Sequence, residues 1–279
     1  MLASPLARIL AYQMTTTTTL LGLDLAWGNR NPSGAVVLRP HDGGYQAAKP
    51  ETLGDDRSVL AWIAHESPTN ALTVLAIDAP LFAPNCPGTS RPADIETSKL
   101  YGRFNASVYP ANRERCARPI SLAAELFRLG WTLCPFALRD EVAAALQAGR
   151  HPSGRFAIEV YPHAACVGLF GLRRIISYKK GRLAQRRDGL ASLQSLLHER
   201  LPATDGWAAT SVAPFARVDA GLLGGRALKA HEDQLDALLC AAMAVAFVHA
   251  PERCVIAGAT TPAEVHNGYI IVPVPPPRA

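Results

Sequence analysis

The chain lacks the short motifs that mark several large enzyme classes. It has no GxxxxGK[ST] phosphate loop, no HExxH pair and no GxSxG elbow. Those absences exclude P-loop nucleotide hydrolysis, zincin proteolysis and α/β-hydrolase chemistry. Gly22, Gly28 and Gly34 do not form a dinucleotide fingerprint. The 6 cysteines include no CxxC pair and no zinc spacing, which excludes the usual structural zinc sites. Unpaired in this way they read as reduced thiols, so a cytoplasmic location is expected. No run reaches the ~18–20 continuous apolar residues that a membrane helix needs. The nearest, Leu235–Ala250, carries Asp236 near its start. Met1–Gln13 holds Arg8 and a short apolar patch but no signal-peptide core. There is no internal repeat.

What is present points to a folded α/β protein. Of 279 residues, 49% are hydrophobic and 18% charged, enough for a sizeable core and too apolar for disorder. The net charge of +5 permits a polyanionic partner without requiring one. Residues 20–25 and 34–39 are apolar runs split by a Gly/Asn/Pro turn, the pattern of an antiparallel hairpin. A third strand is expected near Tyr45–Ala48, a helix over Arg57–His65 and a buried strand over Val74–Ile77. Pro80–Pro119 shows no sustained period and reads as a long functional loop. Helices follow over 121–130 and 139–148, then a strand over 156–160. Further helices are expected over 164–172, 190–200 and 232–249, with a short strand over 254–257. Met14 and the threonines after it form a low-complexity lead-in, with Met1 and Met14 both open as the start.

The acids carry the functional signal. Burying a carboxylate unpaired costs several kcal/mol or forces it to take up a proton. Asp24 lies in LLGLDL, Asp78 in VLAIDAP and Glu159 in FAIEVY, each an apolar strand. In the first, Gly22 and Asp24 share one face, and the glycine leaves room beside the acid. Asp78 ends its strand, at the carboxyl edge where α/β sites gather. Asp233 and Asp236, three apart, point from one face of the last long helix. Structural alternatives exist for each. Asp24 and Asp78 suit turn or backbone bonding, Glu159 suits an ion pair with Arg155 or Arg174, and Asp233 suits a helix cap. Three strands with one acid each suggest a shared cation, and a divalent metal is the simplest. His163 and His231 sit near these acids, as structural residues or for proton transfer.

Basic residues cluster twice. Lys179, Lys180, Arg182, Arg186 and Arg187 follow Tyr178. Arg91, Arg103, Arg113, Arg115 and Arg118 run through the long loop among Tyr101, Phe104 and Tyr109. Cations interleaved with aromatics suit a phosphate backbone with stacked bases. The 179–187 run reads equally well as a solvated charged face.

The segments GLDLAWG at 22–28, AIDAP at 76–80, RPAD at 91–94, IEVYPHA at 158–164, YKKG at 178–181 and DQLDALLCA at 233–241 together resemble an uncharacterised family of predicted ribonuclease-H-like nucleases. The order of the segments is also similar to Holliday-junction resolvases of that superfold. The resemblance implies a mixed five-stranded α/β sheet flanked by helices over residues 20–258, with an insertion at about 80–150 and tails at 1–19 and 259–279. It implies two-metal phosphodiester hydrolysis with Mg²⁺ or Mn²⁺. Asp24 would bridge, Asp78 and Asp236 would serve one ion each, and Glu159 or Asp233 would complete the set. Arg91, Arg103, Tyr178, Lys179 and Lys180 are then substrate contacts. Nucleic acid, DNA or RNA, is the expected partner, with no membrane association and with a homodimer as one assembly. The other readings are a nucleotide-binding phosphotransferase of the actin and sugar-kinase branch, and an inactive nucleic-acid-binding protein of the same fold.

Overall fold

A computed structural model describes residues 17–28, 30–68, 70–203 and 210–277. The expected N-terminal tail lies, up to residue 16, outside the described residues. Strand β1 (Thr19–Asp24) pairs antiparallel with β2 (Ser33–His41), which pairs antiparallel with β3 (Gly44–Ala47) and with the short β4 (Glu51–Leu53). Helix α1 (Asp56–Glu66) opens on a capping box between Asp55 and Ser58 and buries Val59, Trp62 and Ile63. Strand β5 (Leu72–Ile77) then runs parallel to β1. Both β1 and β5 are buried along nearly their whole length, which accounts for continuous apolar runs instead of alternation.

The long insertion is more regular than its composition predicts. Helix α2 (Pro92–Tyr101) stands inside the expected loop, with Pro92 at its first turn. Proline there lacks only an N–H that the helix would not use. Helices α3 (Ala117–Arg128) and α4 (Pro135–Gln147) follow. Strand β6 (Gly154–Glu159) lies parallel to β5, and α5 (Pro162–Phe170), α6 (Leu183–Arg200), β7 (Thr210–Ser211) and α7 (Ala213–Ala216) come next. The sheet has seven strands, not five, in the order β6-β5-β1-β2-β3-β7 with β4 also on β2.

Helix α8 (Gly225–His249) is buried almost all round from Leu235 to Val248 and lies across β1 and β2, as expected of a helix with no polar face in that stretch. Two glycines let it come close. A Cβ on Gly22 would fall 1.9 Å from the Ala237 carbonyl oxygen, and one on Gly34 would fall 2.2 Å from that of Asp233. The room beside Asp24 is therefore filled by helix backbone.

The expected tail from residue 259 needs correction. Ile270–Pro273 forms β9, antiparallel to β8 (Cys254–Ala257), and Tyr269 and Ile271 are fully buried. The prolines from Pro273 onward hide a strand that ends as they begin.

Candidate functional site

Three parallel strands deliver acids to one edge of the sheet. Asp24 closes β1, Asp78 follows β5 with its N–H on the Leu23 carbonyl at 2.9 Å, and Glu159 closes β6 opposite Ile77. All three line one cavity of about 670 Å³. Asp233 and Asp236, on α8, do not line that cavity but lie close enough to Asp24 to act on its charge. Asp24 pairs in register with Gly34, the residue on which the Asp233 backbone rests. The Asp24 and Asp233 side chains are near enough to influence each other's protonation.

The cluster is short of positive charge. The Lys179 ammonium lies 2.7 Å from Asp236 Oδ2, and Tyr178 donates its hydroxyl to Oδ1 at 2.5 Å. Lys179 is the group that meets Oδ2, and among the described residues no other donor reaches that oxygen. Lys229 lies 2.5 Å from Asp233 and 2.9 Å from Glu232. Burial pushes Asp24 well above the usual carboxylate range; Lys179 pulls it down, while Asp236, Asp78 and Asp233 push it further up. Asp78 is pushed up to about 7 by burial and by Asp236, against the pull of Lys179. Burial alone would lower Lys179, yet Asp236, Asp24 and Asp78 hold it well above its ordinary value. Among the described residues, no three His, Cys, Asp or Glu side chains are placed to hold a metal ion as they stand.

Glu159 has a different partner. Arg91 grips it with both terminal nitrogens, at 2.7 and 3.0 Å, and the Leu81 N–H adds a third bond at 3.0 Å. The same guanidinium binds Asp94 at 2.8 Å. Arg91, Asp94 and Glu159 are all at least 97% buried. Burial raises Glu159, and Arg91 opposes that rise. An ion pair was an open alternative for Glu159, but the arginine is neither Arg155 nor Arg174.

The remaining candidates separate. Tyr178 is buried, and its hydroxyl is committed to Asp236. Lys180 lines the cavity with Arg174, which pairs with Asn105 once that amide is turned to accept. Arg103 binds the Pro276 carbonyl and lies over Phe104, away from the acids. His163 lines the cavity and meets the Tyr161 hydroxyl at 3.2 Å; burial, then Lys179, pushes it down to about 4. His231 is held by Gln194 on α6 at 3.2 Å and does not line the cavity. Two participants, Lys229 and Asp94, are absent from the sequence expectations. Their signal is local: Lys229 precedes Asp233 by one helical turn, and Asp94 follows Arg91 by three residues.

Neither a curated protein nor a solved structure matches the chain significantly. A family model described as "Protein of unknown function (DUF429)" matches residues 22–264, most of the chain, and the protein belongs to that family.

Proposed function

We propose that this protein is a metal-dependent phosphodiester hydrolase of ribonuclease-H-like architecture acting on nucleic acid. The strand path supports the architecture. Three antiparallel strands, β1 to β3, are continued on the other side of β1 by parallel β5 and β6. The observation that carries the function is the charge deficit. Four carboxyls, on Asp24, Asp78, Asp233 and Asp236, share two ammonium groups, and Lys229 also serves Glu232. Asp24 and Asp233 also act on each other, and a shared proton or a cation would relieve their repulsion.

In chemistry the donor set suits a hard divalent ion, being all oxygen and short of positive charge, and the carboxyls would have to turn from their present positions to bind one. Asp24, Asp78 and Asp233 would hold it, with Asp236 beside them engaged by Lys179 and Tyr178. When bound, Mg²⁺ or Mn²⁺ supplies a lowered pKa for water and charge stabilisation at the leaving oxygen.

The chain's own groups arrange the rest. Lys180 and Arg174 stand on the cavity wall, where a phosphate opposite the acids meets positive charge. Tyr161 donates its hydroxyl to the Ser107 carbonyl at 2.9 Å. Its oxygen therefore accepts from His163 Nδ1, which leaves Nε2 as the acceptor nitrogen. Burial keeps that imidazole neutral, the form able to take a proton from water.

The test is thermal unfolding of chelator-stripped protein titrated with Mn²⁺ and Mg²⁺, for wild type and Asp24→Asn. Stabilisation confined to wild type supports a metal on this cluster. It leads to a cleavage screen with single-stranded, duplex and branched DNA and with RNA. No metal response in wild type overturns the proposal.

A further inference from the structure

Lys179 reads from the sequence as a phosphate contact, but its surroundings are anionic. Its ammonium touches Asp236, which is fully buried, and feels Asp24 and Asp78 as well. It is also held there by the fold. The loop before α6 presses on Gly189, where a Cβ would stand 2.1 Å from the Ser177 carbonyl oxygen and 2.8 Å from Tyr178 Cα. Tyr178 is buried beside it, with its hydroxyl on the other oxygen of the same Asp236 carboxylate. An anchored backbone and a buried neighbour thus deliver the lysine to the acids, with its side chain only 30% exposed.

A carboxylate group of this kind can be satisfied by two metal ions, or by one ion and a fixed ammonium. The geometry points to the second: Lys179 is the resident cation of the cluster and takes the place of a second metal. The site then accepts one divalent ion, on the Asp24, Asp78 and Asp233 side. Asp236 is a counter-ion to Lys179 whose free ligating capacity is largely spent. Lys179 is on this view a positioning residue. This inference rests on the reading that the cluster binds a divalent ion.

The experiment is a count. Mn²⁺ bound per chain is measured on chelator-stripped, full-length protein by depletion of the free-ion electron paramagnetic resonance signal, with affinity from calorimetry. Wild type, Lys179→Met and Lys179→Arg are compared. Wild type should bind one ion, and Lys179→Arg, which keeps the charge, should also bind one. Lys179→Met should bind two, or bind one at least about tenfold more tightly, because a unit charge is removed from a partly buried site. Two ions on wild type would overturn the inference and leave the metal reading standing. The same follows if Lys179→Met matches wild type in count and affinity. No ion on any of the three proteins would overturn both. If Lys179→Met does not fold, the wild-type count still decides.

Discussion

Asp24 and Glu159 are carboxyl groups on the two strands that flank the strand of Asp78, yet their surroundings differ. Glu159 receives two hydrogen bonds from Arg91 and one from the Leu81 N–H, and it is 3% exposed. Its charge is matched, and it ties the β6 edge to the start of α2. Removing one member of a buried pair typically costs about 3–5 kcal/mol, because the partner charge stays behind unpaired. Glu159→Gln should therefore lose stability of that order in urea unfolding while keeping its stabilisation by Mn²⁺. Loss of the metal response at unchanged stability would return Glu159 to the ligands. Asp24 is the converse case. Its carboxyl is surrounded by Asp233, Asp236 and Asp78, and they raise its cost of ionisation on top of burial. Asp24→Asn should raise the melting temperature in chelator and abolish the metal response. A lower melting temperature there, at neutral pH, would mean that Asp24 is matched after all.

At the scale of elements, the site depends on how closely α8 approaches β1 and β2. The strand acids were legible in the sequence because carboxylates in apolar runs are costly and so conspicuous. The hairpin, the buried strand β5 and the last helix were legible from their apolar runs, their lengths and the turn residues between them. The use of Gly22 and Gly34 was not, since a glycine reports that something is close without naming it. In the fold the close object is helix backbone, at Ala237 and Asp233. Gly22→Ala and Gly34→Ala should each cost about 1–3 kcal/mol or more, the usual scale of overpacking. Gly34→Ala should weaken Mn²⁺ stabilisation more than Gly22→Ala, because Gly34 pairs with Asp24 and abuts the Asp233 backbone itself. Gly28→Ala is the control, with nothing within 4 Å of the added carbon. Equal metal responses in Gly22→Ala and Gly34→Ala would sink this account of how the acids meet.

Across the whole molecule, α8 links the acidic edge to the far side of the sheet. Pairings of this range, such as Arg91 with Glu159, have no local signature in the chain, which is why the arginine was not legible while the acid was. At its other end α8 delivers His249, whose Nε2 lies 2.9 Å from the Tyr45 hydroxyl on β3, with the rings edge to face at 5.7 Å. A helix C-terminus favours a protonated histidine, but burial wins here and pushes His249 down to about 4. The unfolded chain takes up this proton near pH ~6.5 and the folded protein only near pH 4. The stability His249 contributes is therefore complete above pH ~6.5 and is lost as pH falls towards 4, by about 3 kcal/mol in all. His163, also pushed down to about 4, acts in the same direction. Asp78, raised to about 7, acts in the opposite one, since its folded form holds a proton that the unfolded chain releases. The overall slope mixes these effects, so the informative quantity is a difference between two proteins. His249→Phe keeps a ring against Tyr45, whose hydroxyl retains its bond to Thr18. Between pH 7 and pH 4 in chelator the unfolding free energy of wild type should fall relative to that of the variant by about 3 kcal/mol, because the variant lacks the histidine's acid penalty. Parallel curves over that window would show that His249 does not stay neutral in the folded protein.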